Sequence, residues 1–198
     1  QIKNDLIFAL IKGLIILVER MRRDLALKLA TMLGEIASIL DGKERRLAEA
    51  NLRRVYGSSW DDIKIKLVAK ECFVMISKNI ADVIRSRNWS PQQLEKMVDF
   101  EVIENYDQAR SKGKGVVAVT GHIGNFELLA AWFSAVKKVP VSVIGRKLYD
   151  ERLDELIVEH REKWGMENIP SDAPARRFLE ALKNGRTIGV LMDLDSSK

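Results

Sequence analysis

A single cysteine, Cys72, occurs among the 198 residues, so neither an internal disulfide nor a cysteine-built zinc site can form, which suits a reducing compartment. Four prolines and 12 glycines are too few for a low-complexity linker, and no unit of about 20 to 50 residues recurs as in a solenoid. Charge of one sign is lacking too: 33 Lys and Arg face 28 Asp and Glu, a formal +5 with no basic arm or acidic tail. No Walker loop, Gly-x-Ser-x-Gly elbow, His-Glu-x-x-His or zinc-ligand cluster is present, which removes most hydrolase and nucleoside-triphosphate readings. No basic, aromatic-rich strand of the RNA-binding kind exists, so no nucleic acid partner is expected. What is there, 46% hydrophobic and 31% charged residues, is the composition of an ordinary globular protein with a real core.

The longest apolar run is Leu6 to Val18, LIFALIKGLIILV, interrupted by Lys12 and Gly13. As a helix it is about 20 Å long, short of the roughly 30 Å hydrocarbon core of a bilayer. No small-residue cleavage site follows, and the positive charges Arg20, Arg22 and Arg23 come after the run, unlike a signal peptide. Residues 1–23 read as a membrane-associating helix on the inner leaflet, its arginines facing anionic lipid. A buried core helix is the alternative, since runs of this length often occupy cores.

Residues 24–110 read as helical. Leu25, Leu29, Met32, Leu33, Ile36, Ile39 and Leu40 recur at three and four spacing, an amphipathic helix ended by Asp41-Gly42. Lys43 to Tyr56 forms a second, with Leu47, Ala50 and Val55 inward and Gly57 closing it. A third runs from about Asp61 to Arg87. Ser90-Pro91-Gln92-Gln93 is a capping box with proline at the first helical position, opening a short helix that ends near Val98. From 111 to 198 the pattern changes. Val116–Thr120, Val141–Ile144 and Thr187–Met192 are short β-rich apolar runs, separated by helical stretches at 123–136, 150–164 and 175–183. That alternation predicts an α/β fold, a mostly parallel sheet flanked by helices, with ligands at the carboxyl ends of the strands.

Gly113-Lys114-Gly115 precedes the first strand, whereas a dinucleotide fingerprint must follow one and open a helix, so that reading fails. Thr120-Gly121-His122-Ile123-Gly124-Asn125-Phe126-Glu127 is better placed, between a strand's carboxyl end and the next helix. A histidine that takes a proton from an alcohol near neutral pH needs a carboxylate to fix its tautomer and balance the imidazolium, and Glu127 is within reach in sequence. Gly121 and Gly124 leave room for a substrate to approach the backbone, and the helix N-terminus offers N–H donors to a developing oxyanion. The plain alternative is a turn whose histidine only caps the helix. Asp193-Leu194-Asp195 could instead hold a divalent cation on a nucleotide-sugar diphosphate, as in a metal-dependent glycosyltransferase, or be a solvated turn. Cys72 reads as a packed small hydrophobe, and His160 as a surface or hydrogen-bonded residue.

His122, four residues and then Glu127 resemble the His-x4-acid signature of the lysophospholipid acyltransferase superfamily. The string from His122 to Leu129, HIGNFELL, is closer to its lipid A biosynthesis branch, the lauroyl and myristoyl transferases, whose acid is commonly Glu. Asn51-Leu52, Gly145-Arg146-Lys147, Arg161 with Gly165, and Gly189-Val190-Leu191-Met192-Asp193 are similar to further blocks of that branch. The family continues beyond the strand that carries Asp193, and this chain begins at Gln1, so the resemblance implies a fragment truncated at its C-terminus. Where the family writes Asp-Gln, this chain has Asp193-Leu194-Asp195.

The resemblance implies an acyl-carrier-protein-dependent O-acyltransferase of the lipid A type, acting on a glycolipid hydroxyl at the cytoplasmic face of the inner membrane as a monotopic protein. Its partners would be acyl carrier protein, the glycolipid acceptor and anionic lipid, with an acyl thioester as co-substrate and neither cofactor nor metal. His122 and Glu127 would be catalytic, and Gly124, Asn125, Arg146, Arg161 and Asp193 would contact or flank the substrates. A phosphatidylinositol mannoside or a glycerolipid stays open as acceptor. Outside that class stand the metal-dependent glycosyltransferase and a non-catalytic membrane-surface module.

Overall fold

The structure, a computed structural model, describes residues 2–99 and 103–193. The chain divides into two compact units, one of Ile11–Arg85 and one of Gln1–Leu10 with Ser86–Lys198. Helix α1 (Ile2–Arg20) supplies its first turns to the second of these and the remainder to the first.

The helical unit adds α2 (Arg23–Leu40), α3 (Gly42–Tyr56) and α4 (Asp62–Ser86). Asp41 separates α2 from α3 as the Asp-Gly pair predicts, its carboxylate accepting from the N–H of Glu44 at 3.1 Å. The buried face of α2 is not the large apolar stripe read from the sequence. It is Ala26, Ala30, Gly34 and Ser38, a row four residues apart that lets two backbones approach closely. A Cβ on Gly34 would lie 2.6 Å from the Cα of Val74 on α4. Leu25, Met32, Ile36 and Ile39 remain exposed. The inward assignment on α3 is corrected likewise: Leu47 is 53% and Val55 67% exposed, and α3 buries no residue. Periodicity shows that a helix is two-faced, but small residues compete for the packed side when they allow tighter contact. Cys72, expected to pack, is exposed on α4. Arg23 closes the unit with a bidentate pair to Asp82, at 2.9 and 2.7 Å.

In the second unit, α5 (Pro91–Glu95), α6 (Glu104–Arg110), β1 (Val116–Thr120), α7 (Phe126–Ala135), β2 (Val141–Gly145), α8 (Glu151–Lys163), β3 (Glu167–Pro170), α9 (Ala175–Lys183) and β4 (Thr187–Leu191) follow in order. The capping box forms at α5, Ser90 and Gln93 exchanging side-chain and backbone bonds. The fold is the expected α/β one: the four strands are parallel, in the order β1-β4-β2-β3. Strand β3 and helix α6 are additions to the sequence reading. Glu-Asn-Ile-Pro buries only Ile169, and its proline is tolerated because the strand lies at the sheet edge. Helix α7 starts at Phe126, three residues later than expected, because Gly124 turns into the left-handed region (φ 60°). Asn125 then caps the helix through the N–H of Leu128.

Side chains alternate across β4 as the pleat requires. Ile188 and Val190 pack with Ile169 of β3 and Ala181 and Phe178 of α9. Thr187, Gly189 and Leu191 face the other way, into a cavity roofed by Phe126, Leu129 and Phe133 of α7.

Candidate active site

Because β4 inserts beside β1, with Thr120 in register with Leu191, the residues two positions beyond each strand also meet. These are His122 and Asp193. The ring Nδ1 of His122 lies 2.8 Å from one carboxylate oxygen of Asp193, and the backbone N–H of His122 donates to the other at 2.8 Å. These bonds hold the Asp193 carboxyl below the usual carboxylate range, the ring contact contributing most. Gly121 makes the approach possible, since a Cβ there would come within 3.1 Å of the Asp193 carboxylate. With Nδ1 donating to a carboxylate, Nε2 is the ring nitrogen left to accept a proton. The rings of Phe126 and His122 meet in a T-shaped contact, 5.0 Å between centroids.

Glu127 is not brought to His122. It is clasped by Arg161 of α8, whose Nη2 and Nε donate to its two oxygens at 2.6 and 3.2 Å, while Nη1 donates to Asn168 of β3. Both side chains are largely buried, Arg161 12% and Glu127 19% exposed. Fork-to-carboxylate geometry of this kind is the strong form of an ion pair. Gly145 makes room for it, because a Cβ would lie 2.6 Å from the guanidinium. The pair ties the first turn of α7 to α8 and β3, immediately beneath the His122 loop. Arg161 therefore spends all three nitrogens on protein groups. Arg146, in contrast, makes no ion pair among the described residues, and Lys147 beside it makes none.

His122, Glu127, Arg146, Lys147 and Arg161 share a pocket of about 240 Å³. Phe126, Glu127, Arg161 and Leu191 also line the larger apolar cavity of about 670 Å³ that extends along the sheet beneath α7. Gly124 and Asn125 form the turn between His122 and α7. Among the described residues no group of three or more His, Cys, Asp or Glu could hold a metal; Asp195 lies outside those residues.

Sequence spacing missed two features: Asp193 as the carboxylate on His122, and Asn168 as the second partner of Arg161. The signal for the first was the acid just past the last strand, usable only once the strand order is known.

A parallel α/β sheet with a carboxylate-held histidine at the strand carboxyl ends, beside an apolar cavity, is equipped to remove a proton from a hydroxyl next to an alkyl group. The chain belongs to the bacterial lipid A biosynthesis acyltransferase family, whose profile matches residues 3–198. It is also similar to a phosphatidylinositol mannoside acyltransferase of Mycolicibacterium smegmatis (strain ATCC 700084 / mc(2)155), 24% identical over 152 residues. That match covers 75% of this chain and 49% of the relative, so the chain spans about half the length of the curated protein it matches.

Proposed function

We propose that this protein is an O-acyltransferase that moves a fatty acyl chain from acyl carrier protein, or another acyl thioester, to a hydroxyl of a glycolipid, with a lipid A precursor as the acceptor. The observation that carries the reading is the His122–Asp193 pair opening beside an apolar cavity large enough for an alkyl chain. The acceptor hydroxyl gives its proton to His122 Nε2 as its oxygen attacks the thioester carbonyl carbon. Asp193 fixes the tautomer and balances the imidazolium. The tetrahedral intermediate collapses, the carbon–sulfur bond breaks, and the thiolate leaves with the proton held by His122. Backbone N–H groups at the Gly124–Asn125 turn are suited to the oxyanion. Glu127 and Arg161 position that turn from below rather than exchanging protons, and Arg146 and Lys147, which make no ion pair among the described residues, offer cations to an acceptor phosphate.

The acceptor has a second reading, a phosphatidylinositol mannoside, favoured by the name of the mycobacterial relative. The membrane role is carried by α1. Leu6, Leu10 and Leu17 are exposed along it, and Arg20 and Arg22 follow, a pattern suited to lying on anionic lipid at the cytoplasmic face of the inner membrane. Among the described residues no helix is long and apolar enough to cross a membrane. Transfer of labelled acyl groups from acyl carrier protein to a panel of lipid A precursors, phosphatidylinositol mannosides and glycerolipids tests both readings. Product on one acceptor class, unchanged by EDTA, supports this chemistry and selects the acceptor. Transfer of sugar rather than acyl groups, dependent on a divalent cation, would replace it with the glycosyltransferase.

A further inference from the structure

The middle of the apolar cavity is bordered by a residue with no side chain. Gly189 sits at the centre of β4, a strand hydrogen-bonded on both sides, in register with Ala118 of β1 and Val143 of β2. Glycine weakens a strand interior and often marks a site where a ligand or another backbone approaches closely. Among the described residues no protein atom does so on this side. A Cβ built on Gly189 meets nothing within 4 Å, and the residue lines the cavity of about 670 Å³. The open space is therefore on the cavity side, in the row where Ala118 is also small.

The cavity has direction. Its carboxyl-end liners Leu191, Phe126 and Glu127 also line the His122 pocket. At the amino end of the strands Tyr106 of α6 bonds through its hydroxyl to Thr187 of β4 at 2.8 Å and rests its ring on Phe133, 4.7 Å between centroids. Tyr106 and Thr187 line the cavity at that end. From Leu191 to Thr187 the strand advances about 13 Å, the length of an extended chain of about eleven single bonds.

We propose that Gly189 is the chain-length determinant of this enzyme: it leaves open the middle of a channel running from His122 to Tyr106 and Thr187, so that the site takes acyl chains of about ten to twelve carbons. A side chain at 189 closes the channel about halfway, leaving room for about six carbons. The proposal rests on the acyltransferase reading and adds the residue that sets its donor.

The test compares the full-length protein with Gly189→Val and Tyr106→Ala. Displacement of a fluorescent fatty acid by hexanoate, dodecanoate and hexadecanoate reads binding, and transfer from the matching acyl thioesters reads kcat/KM. In Gly189→Val, hexanoyl is expected to be unaffected and dodecanoyl to fall by about 100-fold or more, since each methylene returned to water forfeits about fourfold. The melting temperature should not fall, because valine suits a strand better than glycine. Tyr106→Ala is expected to move the optimum toward hexadecanoyl. An equal loss at every length, or an unchanged profile in both variants, overturns the proposal. A wild-type protein that binds alkyl chains with this selectivity yet transfers none sinks the acyltransferase reading and leaves the channel assignment standing. One that binds none overturns the channel.

Discussion

His160 offers a measurement of how the unit that holds the site is built. It is 4% exposed on α8, with Nε2 2.8 Å from the hydroxyl of the fully buried Ser86. Burial pushes it down from 6.5 to about 4. The charge of Glu127 opposes this, and Lys163, Arg161 and Arg87 add to it. The folded chain thus refuses a proton that the unfolded chain takes once the pH drops below 6.5. Stability is complete above that value and is lost as pH falls toward 4, below which both states are protonated. A gap of about 2.5 pH units corresponds to about 3 kcal/mol, a large share of a domain's total stability. The perturbation is His160→Gln, which keeps a neutral hydrogen-bonding group at the site and removes the titration. Urea unfolding of both proteins from pH 7.5 to pH 4 isolates the effect, because the other titrating groups are common to both. The wild type should lose about 3 kcal/mol more than the variant over that range. A difference between the two that does not change with pH would refute the assignment of His160 as a histidine folded in its neutral form.

Other outcomes follow from the same contacts. Glu127→Ala strands the Arg161 guanidinium in a largely buried position and should lower stability by about 2–3 kcal/mol, somewhat under the figure for a fully buried pair. A double-mutant cycle with Arg161→Ala should show the two losses to be far from additive. Gly34→Val drives a side chain into the backbone of α4 and should cost about 2–3 kcal/mol by thermal melting, whereas Gly13→Ala, which meets nothing within 4 Å, should be neutral or better. Leu6→Glu with Leu10→Glu should reduce sedimentation with anionic vesicles by about tenfold or more while leaving the far-ultraviolet circular dichroism unchanged; unaltered sedimentation would remove α1 as the lipid contact.

Much of the fold could be read from residues in order. Each β-rich apolar run became a strand, the capping box at Ser90 formed, and Asp41-Gly42 broke the helices. The failures have physical causes. Glu167–Pro170 is a strand by pairing with β2, not by composition, because one buried isoleucine suffices at an edge. On α2 the row of Ala26, Ala30, Gly34 and Ser38 won the packed face, and only a structure tells whether large or small residues take it. At the site, His122 was legible because a histidine between a strand and a helix is conspicuous, but its partner was not. Glu127 is near in sequence, and Asp193 is near in space because β4 lies between β1 and β2. Strand order is a long-range property that local spacing does not encode. For Arg161, expected to contact or flank the substrates, spacing likewise does not reveal that its three nitrogens bond to Glu127 and Asn168.

In the proposed reaction His122, held by Asp193, is the base in acyl transfer. The most direct measurement of that role is kcat/KM for acyl transfer to the preferred acceptor, in EDTA, by the wild type, His122→Ala, Asp193→Asn and Glu127→Gln, each with its melting temperature. The account predicts losses of about 10²–10⁴-fold for the first two variants without a fall in melting temperature, and for Glu127→Gln a loss that tracks its lower stability. Full activity in Asp193→Asn, with His122→Ala inactive, would contradict the pairing, and full activity in His122→Ala would contradict the mechanism.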